Sequence, residues 1–75
     1  MNKARRKRIS DAIEKLEKIM AEFEDIRDDE QDCFDNLPES LQYSERGETM
    51  EEAIDVLDTV LDNINDAIDA ARELI

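Results

Sequence analysis

"NLPESLQYSERGETMEE", Asn36 to Glu52, breaks an otherwise continuous helical pattern, and its reading decides the fold. It holds the chain's one proline, Pro38, and its one glycine, Gly47. Asn36 is a good N-cap, Glu39 sits three residues on, and proline is tolerated in a first helical turn. The spacing predicts a break near Asp35–Asn36 and a short helix from about Leu37 to Arg46 that turns at Gly47. Thr49-Met-Glu-Glu52 then reads as a capping box, in which Thr49 and Glu52 satisfy orphan N–H groups. The predicted order is a long helix over about 3–35, a short helix over about 37–46 and a long helix over about 49–75, in a single domain of 75 residues.

Outward from that corner, apolar residues recur at alternating steps of four and three. Before it come Ile9, Ile13, Leu16, Met20, Phe23, Arg27, Glu30, Phe34 and Leu37; after it come Met50, Ile54, Leu57, Leu61, Ile64, Ile68, Ala71 and Ile75. Each stripe has a flanking column one heptad apart: Ala12, Ile19, Ile26 and Cys33 on the first helix, Ala53, Val60, Ala67 and Leu74 on the second. An apolar face three positions wide in seven is that of a core-facing helix. Arg27 and Glu30 interrupt the first stripe. One reading drifts the stripe towards Ile26 and Cys33 and leaves both at the rim. The other makes them a half-buried polar pair that sets the register.

Folded antiparallel, the stripes match: Ile9 meets Ile75, Leu16 meets Ile68, Phe23 meets Leu61 and Phe34 meets Met50, with Arg27 opposite Leu57. The short helix offers Leu37, Leu41 and Tyr43 to plug one end. Ile19, Ile26, Val60 and Leu74 stay partly wet in a monomer. A symmetric dimer forming a four-helix bundle would cover them; folding the short helix back over the strip is the alternative. The expected fold class is therefore all-α, an antiparallel two-long-helix hairpin with a short connecting helix, pairing into a dimeric four-helix bundle.

Composition agrees with helices. Charged residues make up 43% of the chain, a level that alone suggests disorder, but disordered chains have no reason for periodic apolar order. The net charge of −12 is segregated: residues 1–18 carry seven Lys/Arg and three acids, whereas residues 19–75 carry three Lys/Arg and nineteen acids. Most of the surface therefore repels nucleic acid and anionic membrane and attracts a basic protein surface. The start "MNKARRKRIS" has no apolar core of a signal peptide, no run approaches spanning length, and a lone Cys33 forms no internal disulfide, so the expected location is cytoplasmic.

With no histidine, one cysteine and one glycine, the chain lacks the residues for a His-based triad, a zinc site or a phosphate loop, and no catalytic, cofactor or metal residue is expected. "DIRDDEQDCFDN", Asp25 to Asn36, lacks the central glycine of a calcium loop and reads as helix.

What folding leaves unexplained is the outward acidic set, Asp25, Asp28, Asp29, Asp32 and Asp35, joined by Asp55, Asp58 and Asp62 on the second long helix. Glu22 to Asp35 holds eight acids and residues 49–62 add five. At a helical rise of about 1.5 Å per residue this is one charge per roughly 1.6 Å, against about 1.7 Å for duplex DNA. A rigid rod of that density suits a nucleic-acid groove on a protein, and attraction would speed its association. Solubility is the alternative use of the same acids. The basic start, Lys3, Arg5, Arg6, Lys7 and Arg8, sits at a helix N-terminus, where the dipole disfavours cations. In the hairpin it is expected beside Asp69, Glu73 and the chain's end; contact with nucleic acid or an anionic partner is the other reading.

The pattern Asn36, Leu37, Pro38, Glu39, Leu41, Gln42, Ser44 and Glu45, followed by an amphipathic helix, resembles small acidic uncharacterised helical proteins of bacteria and their phages. The resemblance covers about the C-terminal two-thirds of the chain. It implies a bacterial or phage origin and the helix–corner–helix layout, with no activity and no assigned site residues. The expected function is a non-enzymatic acidic binding protein, a phage-encoded inhibitor masking a basic nucleic-acid-binding surface of a host protein; the alternative is a homo-oligomeric helical scaffold whose acidic face serves only solubility.

Overall fold

Asn2 starts the first helix: its side-chain oxygen accepts the Arg5 N–H at 2.8 Å, satisfying one orphan donor. From there α1 runs unbroken over Lys3–Asp35, since nothing in that span breaks a helix. The computed structural model describes residues 1–75. A single turn, α2, spans Glu39–Gln42, and α3 spans Glu45–Arg72. There are no strands.

The two long helices pack side by side into a rod of 58 × 15 × 11 Å. Two ion pairs cross between them, Arg27 with Asp58 at 2.8 Å and Glu17 with Arg72 at 2.9 Å. The partner number falls along α3 as it rises along α1, so the helices are antiparallel. Arg27 lies against Asp58, one residue from the Leu57 that stripe matching placed opposite it.

Burial follows the stripes. Ile13, Ile54 and Ile68 are the buried hydrophobic residues. Ile9, Leu16, Met20, Phe23, Phe34, Met50, Leu57, Leu61, Ile64 and Ala71 are half-buried. A two-helix seam covers each side chain from one direction only, so few reach full burial. Each fully buried isoleucine contributes about 2–3 kcal/mol.

The corner departs from its sequence reading in four respects. Asn36 closes α1 as its C-cap, with its N–H donating to Asp32 O at 3.0 Å, and does not open a second helix. The connecting helix is one turn, not ten residues. Ser44, not Thr49, caps α3: its Oγ accepts the Gly47 N–H and donates to Leu41 O. Thr49 lies inside α3, its hydroxyl donating to Glu45 O at 2.9 Å. Gly47 therefore ends nothing. It is buried in the first turn of α3, where a Cβ would meet Gln42 O at 2.1 Å. Glycine is needed here for close approach of two backbones.

Because α2 is so short it plugs the end poorly. Leu37 is half-buried, but Leu41 and Tyr43 are exposed. The corner is held by Gln42, whose Nε2 donates to Phe34 O in the last turn of α1 and to Leu37 O just past it, both at 3.3 Å. At the other end α3 stops at Arg72, and Ile75 is exposed rather than packed on Ile9.

Candidate partner-binding surface

At about 100° per residue, the seam divides the remaining surface into two unlike sides. On one side α1 presents Glu24, Asp28, Gln31 and Asp35, and α3 presents Glu48, Glu51, Asp55, Asp58 and Asp62. On the other side lie Ala12, Ile19, Ile26 and Cys33 of α1 with Ala53, Val60 and Ala67 of α3, and Leu74 follows in the turn past the end of α3. Equivalent flanks share a side because the helices are antiparallel: reversing one helix brings its flank round to meet the other's.

The acidic side carries the two cross-helix pairs. Arg27 keeps its stem in the seam and its Nε donates to Asp58 Oδ1, while its Nη1 lies 3.6 Å from Asp28. The hydrogen bond to Asp58 raises the guanidinium's pKa above its ordinary value. Arg27 therefore does not pair with Glu30, which is half-buried and makes no ion pair. Nor does the stripe drift: Ile26 is 52% exposed and Cys33 is exposed. A long arginine stem spans the seam and delivers its charge to the rim, so no drift is needed.

Between these side chains the helices leave an open groove of about 250 Å³, lined by Arg27, Gln31, Phe34, Glu51, Ile54, Asp55 and Asp58. Its one cation is already held by Asp58. Nowhere do three Asp, Glu or Cys side chains converge closely enough to hold a metal ion.

Of the acidic positions singled out in the sequence, Asp25, Asp28, Asp29, Asp32, Asp35, Asp55 and Asp62 are exposed, and Asp58 is half-buried against Arg27. Asp28, Asp35, Asp55, Asp58 and Asp62 share the acidic side, and Asp25 and Asp32 form the outer ridge of α1. Asp29 lies round on the apolar side's edge. Asp35 also accepts a hydrogen bond from Gln31 at 2.9 Å.

The apolar side is open: Ile19 is 43%, Ile26 52% and Leu74 49% exposed, with Val60 half-buried. Val56, 63% exposed, extends it. Counting one flank position per heptad passes over Val56, although its spacing from Ala53 and Val60 places it on that side. Heptad counting equally passes over Gln42, which clamps the corner from seven residues past the end of α1.

At the open end of the rod the basic start stands largely unpaired. Lys7 binds Asp11 at 2.9 Å, and this hydrogen bond raises its pKa above the ordinary lysine value. Lys3, Arg5, Arg6 and Arg8 have no carboxylate within ion-pair distance, and neither Asp69 nor Glu73 reaches them; Asp69 turns to Arg72 instead. No helix is long and apolar enough to cross a membrane. Comparison with known proteins finds no matching family, no matching curated protein and no matching solved structure.

Proposed function

We propose that the chain is a non-enzymatic acidic binding protein, of bacterial or phage origin, that covers a basic nucleic-acid-binding surface on a protein partner and blocks it. The observation that carries this reading is the exposure of seven aspartates on the loop-end half of the rod, where Arg27 is already occupied by Asp58 and Arg46, the other cation of that half, falls on the apolar side one heptad before Ala53. Rigid helices hold these charges in place before binding, so little ordering entropy opposes the encounter. Asp58 supports Arg27, and the contact itself falls to Asp25, Asp28, Asp29, Asp32, Asp35, Asp55 and Asp62.

The test is capture from bacterial lysate at low and high salt. A nucleic-acid-handling protein should be retained at low salt and released as the charges are screened. Replacing Asp28, Asp29, Asp32 and Asp35 together by Asn should weaken its binding about tenfold or more with helicity unchanged. Retention indifferent to salt, or to the four substitutions, rejects the reading. A second reading, a homo-oligomeric helical module, is favoured by the exposed strip of Ile19, Ile26, Val60 and Leu74.

A further inference from the structure

We infer that the apolar side of the hairpin is the interface of a homodimer in which the two rods lie antiparallel, the basic end of each against the acidic corner of the other. The inference takes up the strip named in the second reading and shares with the acidic-surface reading only Asp29, at the strip's edge.

Area points to a large uncovered surface. A folded monomer of this mass, 8.7 kDa, exposes about 4,700 Å² by the usual scaling. This chain exposes 5729 Å². The strip from Ala12 to Cys33 is about 32 Å long and two helices, about 20 Å, wide, so it offers on the order of 600 Å² per copy. Two copies then bury about 1,200 Å², the lower bound of a stable interface. Its centre is apolar, with Ile19 and Ile26 on one helix and Val56 and Val60 on the other, and its charged residues lie at the edges.

Charge selects the orientation. A four-helix bundle with all neighbours antiparallel can be built with the two hairpins parallel or antiparallel. Parallel hairpins stack two acidic corners on each other. Antiparallel hairpins separate those corners by the length of the 58 Å rod. With the two-fold axis midway between Ile19 and Ile26, Lys15 falls beside the partner's Asp29, both on the strip's edge. The unpaired Arg5 and Arg8, which share the strip's side of α1 with Ala12 and Lys15, fall beside the partner's corner, near its Glu39. Glu22 meets its own copy at the axis, at the solvated edge, where like charges cost least. The acidic side of each hairpin stays outward, so the dimer presents it twice.

Light scattering after size exclusion should give twice the 8.7 kDa chain mass; a monomer at concentrations up to about 100 μM overturns the inference. Ile26→Glu should weaken the dimer about 100-fold or more with helicity kept. If Ile26→Glu loses helicity, Ala67→Glu, at an exposed position on the same strip, asks the same question without touching the seam. A dimer that survives Ala67→Glu unweakened excludes this face. Orientation is read with a thiol cross-linker matched to the about 10 Å spacing of packed helices. Antiparallel rods hold the two Cys33 residues about 32 Å apart and Ala12 opposite the partner's Cys33. The native chain should therefore not cross-link, and Ala12→Cys should. Efficient cross-linking of the native chain through Cys33 rejects the antiparallel arrangement. Failure of lysate capture leaves the dimer standing, and a monomeric chain leaves the acidic-surface reading standing.

Discussion

Arg27 occupies a seam position with its stem and a rim position with its charge, and the two contributions are separable. Arg27→Ala removes both and leaves Asp58 facing an uncovered seam. Arg27→Leu restores the packing and lets Asp58, 47% exposed at its side chain, return to water. We expect Arg27→Ala to lower the thermal midpoint and Arg27→Leu to match or exceed the native chain, measured by circular dichroism. Equal losses in both variants would mean that the ion pair, and not the stem, carries the position. That Arg27 sits on the stripe was legible from its heptad place. Its partner was not, because Glu30 three residues on is as good a carboxylate by spacing. The choice depends on what α3 presents across the seam.

At the scale of elements, the ends were harder to place than the bodies. Ser44 and Thr49 are both good caps, five residues apart. The helix takes the earlier one because the added turn gains backbone hydrogen bonds and because Gly47 is small enough to let α2 approach. The cost of a glycine inside a helix, about 1 kcal/mol, is offset by that close packing. Gly47→Ala improves helix propensity but drives a Cβ into the Gln42 carbonyl. It should destabilise the chain by about 1–3 kcal/mol, read by urea denaturation with the slope unchanged. A stabilising Gly47→Ala would show that the corner yields without cost. The corner was legible as a break, from Pro38 and Gly47, but not as a single turn clamped by Gln42, since that clamp joins residues eight apart through a side chain.

Over the whole molecule, a charge of −12 is spread on a thin rod with five ion pairs, all but the two of Arg27 with both side chains substantially in solvent. Such pairs contribute little, and repulsion among nineteen acids in residues 19–75 outweighs them. Raising salt from about 10 mM to 100 mM shortens the screening length from about 30 Å to 10 Å. The melting temperature should rise with it, by about 5 °C. A falling midpoint would mean that attraction, not repulsion, dominates the surface.

The sequence by itself determined two long antiparallel helices, the seam residues and the segregation of charge, because each is written in a period or a count that needs no third dimension. The seam half-buries Leu16, Phe23, Leu57 and Ile64 and buries Ile13, Ile54 and Ile68, as the heptads place them. Only the tertiary structure decided that Arg27 reaches Asp58, that Gln42 clamps the corner to the end of α1 and that the basic start, Lys7 apart, is left without carboxylate partners. Those outcomes depend on distances between segments remote in the chain, and a half-turn change in register would alter every one of them while leaving the periodicity intact.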